Sequence, residues 1–227
     1  VSEKPGVKLD GKAIAVAALD LLDETGLDGL TMRKVAAALN VQAPALYWHV
    51  KNKRELLDAM AQHIFVTAVA GLEGPRRDEI WQDWLIQLAA RLRRSMLRYR
   101  DGARVAAGTF ISDESMWRTV ELTLRTLEDA GLDRTAAERV FPILLHYTTG
   151  FVIEEQARTG AEYGENPYTA DHLGTAVDPA RYPRTARMVT GFAAADNDRE
   201  YEHGLRVILA GITAAVTPTL APGSATG

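Results

Sequence analysis

At 227 residues, with 47% hydrophobic and 25% charged side chains and a formal net charge of −4, the chain can bury a substantial core and is ordinary in composition for a globular protein. It contains no cysteine, which excludes disulfides, thiolate metal sites and cysteine nucleophiles. The opening VSEKPGVKLDGK has no apolar stretch of the kind an export signal needs, and the uncharged stretch from Val207 is strongly apolar only to Val216, short of the roughly 20 residues of a membrane span; a cytoplasmic protein with no membrane partner is expected.

Taken in order, Asp10 is placed to cap a first helix in which Ile14, Ala17, Leu21 and Leu22 recur at helical spacing, and Gly26 supplies its stop. Thr31 caps the next, with Val35, Ala38 and Leu39 on one face and Arg33 and Lys34 in the first turn. After a polar break at Asn40 to Gln42, a short helix starts at Ala43 or Pro44, because proline is tolerated only in a first turn. Its period turns Leu46 and Val50 inward and leaves Gln42, Ala43, Ala45, Tyr47 and His49 more exposed; Trp48, a large aromatic, is read as core. Asn52 with Glu55 three residues on is a capping-box pattern, opening a helix that buries Leu56, Met60 and Ile64 and runs to about Ala70. The GLEGP run at 71–75 is the clearest boundary, dividing the chain into residues 1–70 and 71–227.

Beyond it, Trp81, Trp84, Leu85, Leu88, Leu92 and Met96 mark helix, with a break at Asp101 and Gly102. Asp113 to Ala130 should put Met116, Val120, Leu124 and Leu127 on one face, with Gly131 as the stop. Asp133 caps a long segment to about Arg158 that Pro142 should kink. Residues 160–183 read as loop, a last helix spans about Asp198 to Val216, and the tail PTLAPGSATG reads as disordered. No period-two alternation is sustained, so the expected class is all-α, with about nine or ten helices: a small N-terminal helix-turn-helix domain and a larger C-terminal helical domain.

The segment from Gly29 to Arg54 holds five Lys or Arg (Arg33, Lys34, Lys51, Lys53, Arg54) and no Asp or Glu, although the whole chain has 26 basic against 30 acidic residues. A basic patch with interleaved aromatics on two crossing helices points to a polyanion partner, and on a nucleic acid each residue type would have its own use. Gln42 could offer an amide fork to adenine, Pro44 and Ala45 apolar contact to thymine methyls, and Arg33 a bidentate contact to guanine. Lys53 sits at a helix N-terminus, where a cation and free N–H groups can meet one phosphate.

The run LTMRKVAAALNVQAPALYWHVKNKRELLDAM resembles the DNA-binding module of the TetR family of bacterial repressors. WQDWL, YRDGARVAAGT, HYTTGFVIEEQ and the closing VILAGI extend the likeness over nearly the whole chain, strongly before Leu57 and in patches after it. The resemblance implies a homodimer on a palindromic operator, paired through a four-helix bundle of the segments around Phe141 to Arg158 and Glu202 to Val216, where Gly150, Gly204 and Gly211 would allow close approach. It implies DNA contacts from Thr31, Tyr47, His49 and Lys53, with Ala43 and Ala45 standing where drug-responsive members carry a glutamine and a threonine, so the operator should differ.

The family likeness also implies a small-molecule effector in the second domain. Alignment through YRDGARVAAGT puts Ala106 where members that bind a magnesium-chelated drug have a metal-ligating histidine; Leu88 and Leu92 replace their asparagine and phenylalanine, and Phe110 an arginine. His146 and Glu154 match drug-site positions. The expected pocket, lined by Leu88, Leu92, Ala106, Thr109, Phe110, Val120, Thr123 and Leu124, is apolar, and its effector is an apolar or aromatic molecule rather than tetracycline with magnesium; no cofactor or metal site is expected. A ligand-independent regulator or an activator is the alternative. By family analogy the regulated gene handles an antibiotic or its efflux. No nucleophile elbow, phosphate loop or HExxH motif supports an enzyme, and Glu154 and Glu155 point to different sides of a helix.

Overall fold

The computed structural model describes residues 9–159, 165–193 and 196–216, among which there are twelve α-helices and no strand. In chain order they are α1 (Gly11–Asp20), α2 (Leu22–Gly29), α3 (Met32–Ala38), α4 (Ala43–Tyr47), α5 (Lys53–Val69), α6 (Trp81–Leu97), α7 (Gly102–Ala106), α8 (Glu114–Asp129), α9 (Arg134–Ala157), α10 (Ala170–Ala176), α11 (Pro183–Ala193) and α12 (Asn197–Val216). No helix among them is long and apolar enough to cross a membrane.

Side-chain caps start several of these helices, four of them at the caps the sequence names. The side chains of Asp10, Thr31, Asn52, Asp113 and Asp133 each accept a hydrogen bond from a first-turn backbone N–H. The Asn52 box is shifted: Asn52 accepts from Glu55 N at 2.9 Å, but the Glu55 carboxylate reaches Lys51 N, not Asn52 N. Gly26 (φ 59°) separates the turns of α2, and Gly131 (φ 92°) ends α8.

The apolar side chains gather in two clusters. One joins α1 to α4 with Leu56, Met60 and Ile64 of α5 and with Met96, Tyr99, Ala103, Val105 and Val152. The other holds Phe65, Ala68 and Val69 of α5 with the inner faces of α6, α8, α9 and α12. Helix α5 has buried residues in both, as do α6 through Met96 and α9 through Val152, and it packs against α1, α6, α7 and α8.

Four expectations need correction. The helix count is higher because the first segment divides at Leu21, because α10 forms inside the stretch read as loop, with its own cap Thr169, and because α7 and α11 form in stretches to which no helix was assigned. Helix α9 runs on as one helix through Pro142, which is exposed, as is Glu138, whose carbonyl loses its usual donor to the proline. In α8, Leu127 is fully buried, yet Met116, Val120 and Leu124 are only half-buried, and Thr119, Thr123 and Thr126 take the inner positions. The Thr119 and Thr123 hydroxyls donate to the carbonyls of Ser115 and Thr119 at 2.7 and 2.8 Å, so each is satisfied by its own helix and its methyl packs inward. Gly204 serves a contact within the subunit: a Cβ there would lie 2.0 Å from the Tyr147 hydroxyl. Residues 217–227, expected to be disordered, lie outside the described residues.

One buried charge ties α6, α9 and α12 together. Arg93, 6% exposed, forms a two-pronged pair with Glu155 (2.9 and 2.7 Å), reaches Asp198 at 2.5 Å and lies over the rings of Phe151 and Tyr201. Burial opposes its charge, but the hydrogen bonds it donates to Glu155 and Asp198, with their charges, outweigh burial and raise its pKa. Tyr201 is pushed well up from its ordinary value by burial, although its bond to Thr148 (2.7 Å) works the other way.

A Cβ at Gly102 would stand 2.1 Å from the Met96 carbonyl oxygen, a backbone atom that cannot turn aside. Gly102→Ala is expected to cost about 3 kcal/mol or more, and Gly204→Ala less, since a tyrosine can rotate away. Denaturant midpoints of the two variants measure the difference.

Candidate nucleic-acid interface and ligand cavity

Helices α3 and α4 are joined by a compact turn. Asn40 takes the left-handed conformation (φ 53°); Asn40 N bonds Ala37 O and Val41 N bonds Ala36 O, both at 3.0 Å, which is the Schellman pattern with asparagine in glycine's usual place. Gln42 caps α4 through its backbone alone, leaving its side-chain amide uncommitted there, and Pro44 falls in the first turn. Leu46 and Val50 are buried beneath α4.

The outward side presents Thr31, Arg33, Gln42, Pro44, Tyr47, His49 and Lys53, all exposed. Ala43 and Ala45 are half-buried, because Ala43 lies one turn before Leu46 and so leans inward. Trp48, read from sequence as core, is 89% exposed. The same period that buries Leu46 and Val50 points the residue midway between them to the opposite side, so the signal was present in the spacing.

The five cations of the segment divide by role. Lys34 Nζ bonds Gly29 O at 2.9 Å and Lys53 Nζ bonds Leu27 O at 3.3 Å. Arg54 faces the other way, pairing with Asp58 at 3.4 Å and donating to the Gly108 carbonyl. Among the described residues, Arg33 and Lys51 have no side-chain partner.

A cavity of about 380 Å³ lies behind this surface, walled by α5, α6, the turn after α7, the start of α8 and α9. Of the residues expected in an effector pocket, Leu92, Ala106, Thr109 and His146 line it. Leu88, Phe110, Val120, Thr123, Leu124 and Glu154 do not line this cavity. Leu88 is one turn deeper in the core, and Thr123 faces inward but is bonded to Thr119 O. Val120 and Leu124 pack against the second apolar cluster, since the threonine stripe sets the rotation of α8. Phe110 is 65% exposed, its N–H held by Asp58 at 3.2 Å, and Glu154 faces solvent.

The sequence reading missed the α5 wall (Ala61, Ile64, Phe65), Met96, and Thr149 with Gly150 on α9. Ile64 could have been found, because it is already on the buried face of a helix that must pass both domains. Polar groups in the lining are few: Thr109 donates to Ala106 O at 2.8 Å, leaving Thr149 and His146, one helical turn apart on α9, as the side-chain groups facing this space.

Comparison with known proteins matches this architecture at both ends of the chain. Residues 14–60 match the family described as bacterial regulatory proteins, tetR family, and residues 74–216 match the tetracyclin repressor-like C-terminal domain. The chain belongs to the TetR family of transcriptional regulators. Its relatives include the tetracycline repressor protein class A from transposon 1721 of Escherichia coli, 40% identical over 205 residues that cover 90% of this chain and 91% of the relative. A possible TetR family regulator from Streptomyces coelicolor A3(2) superposes with a TM-score of 0.80 at 36% identity, covering 91% of this chain and all of that one. The TetR family protein ActR of the same species, solved with (S)-DNPA, gives 0.76 at 28%, covering 92% and 99%. Family members are DNA-binding regulators with a ligand-binding C-terminal domain, and no enzymatic family is indicated.

Trp48→Ala is expected to leave folding stability within about 0.5 kcal/mol of the parent, as for an exposed surface change. Thermal unfolding checks it; a loss of 2 kcal/mol would mean that the indole is buried in solution.

Proposed function

We propose that this TetR-family chain acts in the cytoplasm as a homodimeric repressor that binds a palindromic operator and is released by an apolar or aromatic small molecule. The observation that carries the reading is the position of α5: its first turn carries the exposed Lys53 next after α4 in the chain, and its buried face walls the 380 Å³ cavity. Residues 1–70 form the DNA-binding part with its connecting helix, and 71–227 the effector and dimer part.

In this reading Arg33, Gln42 and Pro44 meet base edges, with Ala43 and Ala45 close behind, and Thr31, Tyr47, His49 and Lys53 meet phosphates. Trp48 joins the DNA-facing surface. The dimer forms through α9 and α12, whose exposed sides carry Ile143 and Gly150, and Val207, Ala210 and Gly211. Nothing lies within 4 Å of a Cβ built at Gly150 or Gly211, so both leave room for a facing helix.

The effector reading rests on Ala106. It lines the cavity with a methyl group, which has no lone pair for a metal, and the carboxylate of Glu154 does not line that space. The lining favours an apolar body with a hydrogen-bonding edge toward Thr149 and His146. A hundredfold release from DNA requires about 2.7 kcal/mol of differential affinity between the two states.

With an operator selected from a randomised duplex pool, Lys53→Ala is expected to weaken binding to every sequence and lower the salt-dependence slope by about one unit. Arg33→Ala is expected to relax choice at one base pair by about 1–3 kcal/mol. Binding titrations at several salt concentrations decide, and an unchanged slope for the lysine variant sinks its phosphate role. Calorimetric titration with tetracycline and magnesium should show no tight, metal-dependent binding; nanomolar affinity that vanishes with a chelator would overturn the effector reading.

A further inference from the structure

We propose that the corner between the start of α6 and the end of α8 is a further small-molecule site, which takes a phosphate monoester carried on a flat apolar group. An opening of about 580 Å³ lies there, walled by the 74–80 segment, the first residues of α6 and the last turn of α8. It shares no lining residue with the 380 Å³ cavity, and neither α9 nor α12 contributes to it.

Thr126 is the residue that points to a ligand. Thr119, Thr123 and Thr126 share the inner face of α8, and the first two donate to carbonyls of their own helix at 2.7 and 2.8 Å. Thr126, only 7% exposed, lines the opening and has no hydrogen-bond partner among the described residues. A buried hydroxyl left without a partner costs free energy that the back-bond used by its two neighbours would recover. The hydroxyl is therefore kept for a group that enters this space.

The other groups around it are mostly donors as well. Arg76, Arg77 and Arg125 line the opening, all exposed, and none of their guanidiniums has a partner among the described residues. Helix α6 starts after Ile80 without a side-chain cap; Asp83 N and Trp84 N bond Ile80 O, which leaves the N–H groups of Trp81 and Gln82 unpaired. Two carboxylates also belong to the lining. Glu79 is already spent, with Oε2 accepting from Arg76 N at 3.1 Å and Oε1 from the Gln87 amide at 2.6 Å, while Asp129 is exposed in the last turn of α8. Three cations and two N–H groups thus stand against one uncommitted carboxylate. The backbone that carries Arg76 and Arg77 is fixed before any ligand arrives: Leu72 is buried, Trp84 Nε1 donates to Glu73 O at 2.8 Å, and Glu79 N closes a turn on Arg76 O at 3.0 Å. Such preorganisation lowers the ordering cost of binding.

The donor set selects the anion. Guanidiniums, a hydroxyl and N–H groups together offer more donors than the two oxygens of a carboxylate accept, whereas a phosphate monoester brings three terminal oxygens and a larger charge. Trp81, half-buried in the wall, offers a flat face on which an aromatic body can lie.

The test is a titration of the full chain with phenyl phosphate, read by calorimetry and by the amide resonances of Trp81, Gln82 and Thr126. Saturation below about 1 mM is expected, and signals that still fail to saturate at about 20 mM overturn the site. Arg125→Gln should weaken binding at least tenfold and Thr126→Val at least threefold. Arg118→Gln removes the same charge two turns earlier on α8 and should change nothing. Unchanged affinity in both site variants, or an equal loss in Arg118→Gln, overturns the site. Without ligand, Thr126→Val should keep the parent Tm while Thr123→Val lowers it; an equal drop would mean that the Thr126 hydroxyl is already bonded, and overturns the site too. Benzoate should bind at least tenfold more weakly than phenyl phosphate, and equal binding overturns the choice of phosphate. Inorganic phosphate, which has no ring, should also bind more weakly, and equal binding overturns the role of Trp81.

Discussion

The burial of α5 in two cores, with α6 and α9 bridging them beside it, is the constraint on which the rest of the structure depends. Leu56, Met60 and Ile64 commit the first half of α5 to the head, and Phe65, Ala68 and Val69 commit the second half to the larger domain. Protein interiors are packed to near-crystalline density, so a helix gripped at both ends cannot shift at one without disturbing the other. The first turn of α5 expresses this directly. Lys53 is exposed and reaches Leu27 O of α2, while Arg54 and Asp58 hold the backbone of Gly108 and Phe110 beside the cavity.

The two working surfaces are built on opposite principles. The α3–α4 surface gathers cations and exposed aromatics on a protein whose overall charge is negative, which suits a partner held by phosphate neutralisation. The cavity has an apolar wall and few hydrogen-bonding groups, which suits a ligand held by burial and oriented by one polar edge. Arg54 marks the border between them: basic by sequence, it is spent on the protein's own carbonyl rather than offered outward.

How much of this the sequence disclosed depended on the range of the interactions. Caps at Asp10, Thr31, Asn52 and Asp133 were legible because each is a hydrogen bond to the next turn. The fold class followed from period, and the family from the LYWHVKNKR run. Trp48 was misplaced because residue type was weighed above spacing. The buried side of α8 was misread for a related reason: threonines that bond their own helix can face inward, and apolarity alone does not reveal them. The α5 wall of the cavity depends on how helices cross, and the Leu27 to Asp101 bond spans 74 positions, so neither leaves a local trace.

Helix α7 draws a thermodynamic consequence from its length. A first helical turn costs more conformational entropy than its hydrogen bonds return, and net gain comes only with propagation. Five residues allow almost none, so α7 has no cooperative reserve and is held by Asp101 and Gln156 at one end and by the bond from Arg54 to Gly108 O at the other. An element of that kind cannot absorb strain by bending. It either transmits a displacement or melts, and both outcomes reach Leu27.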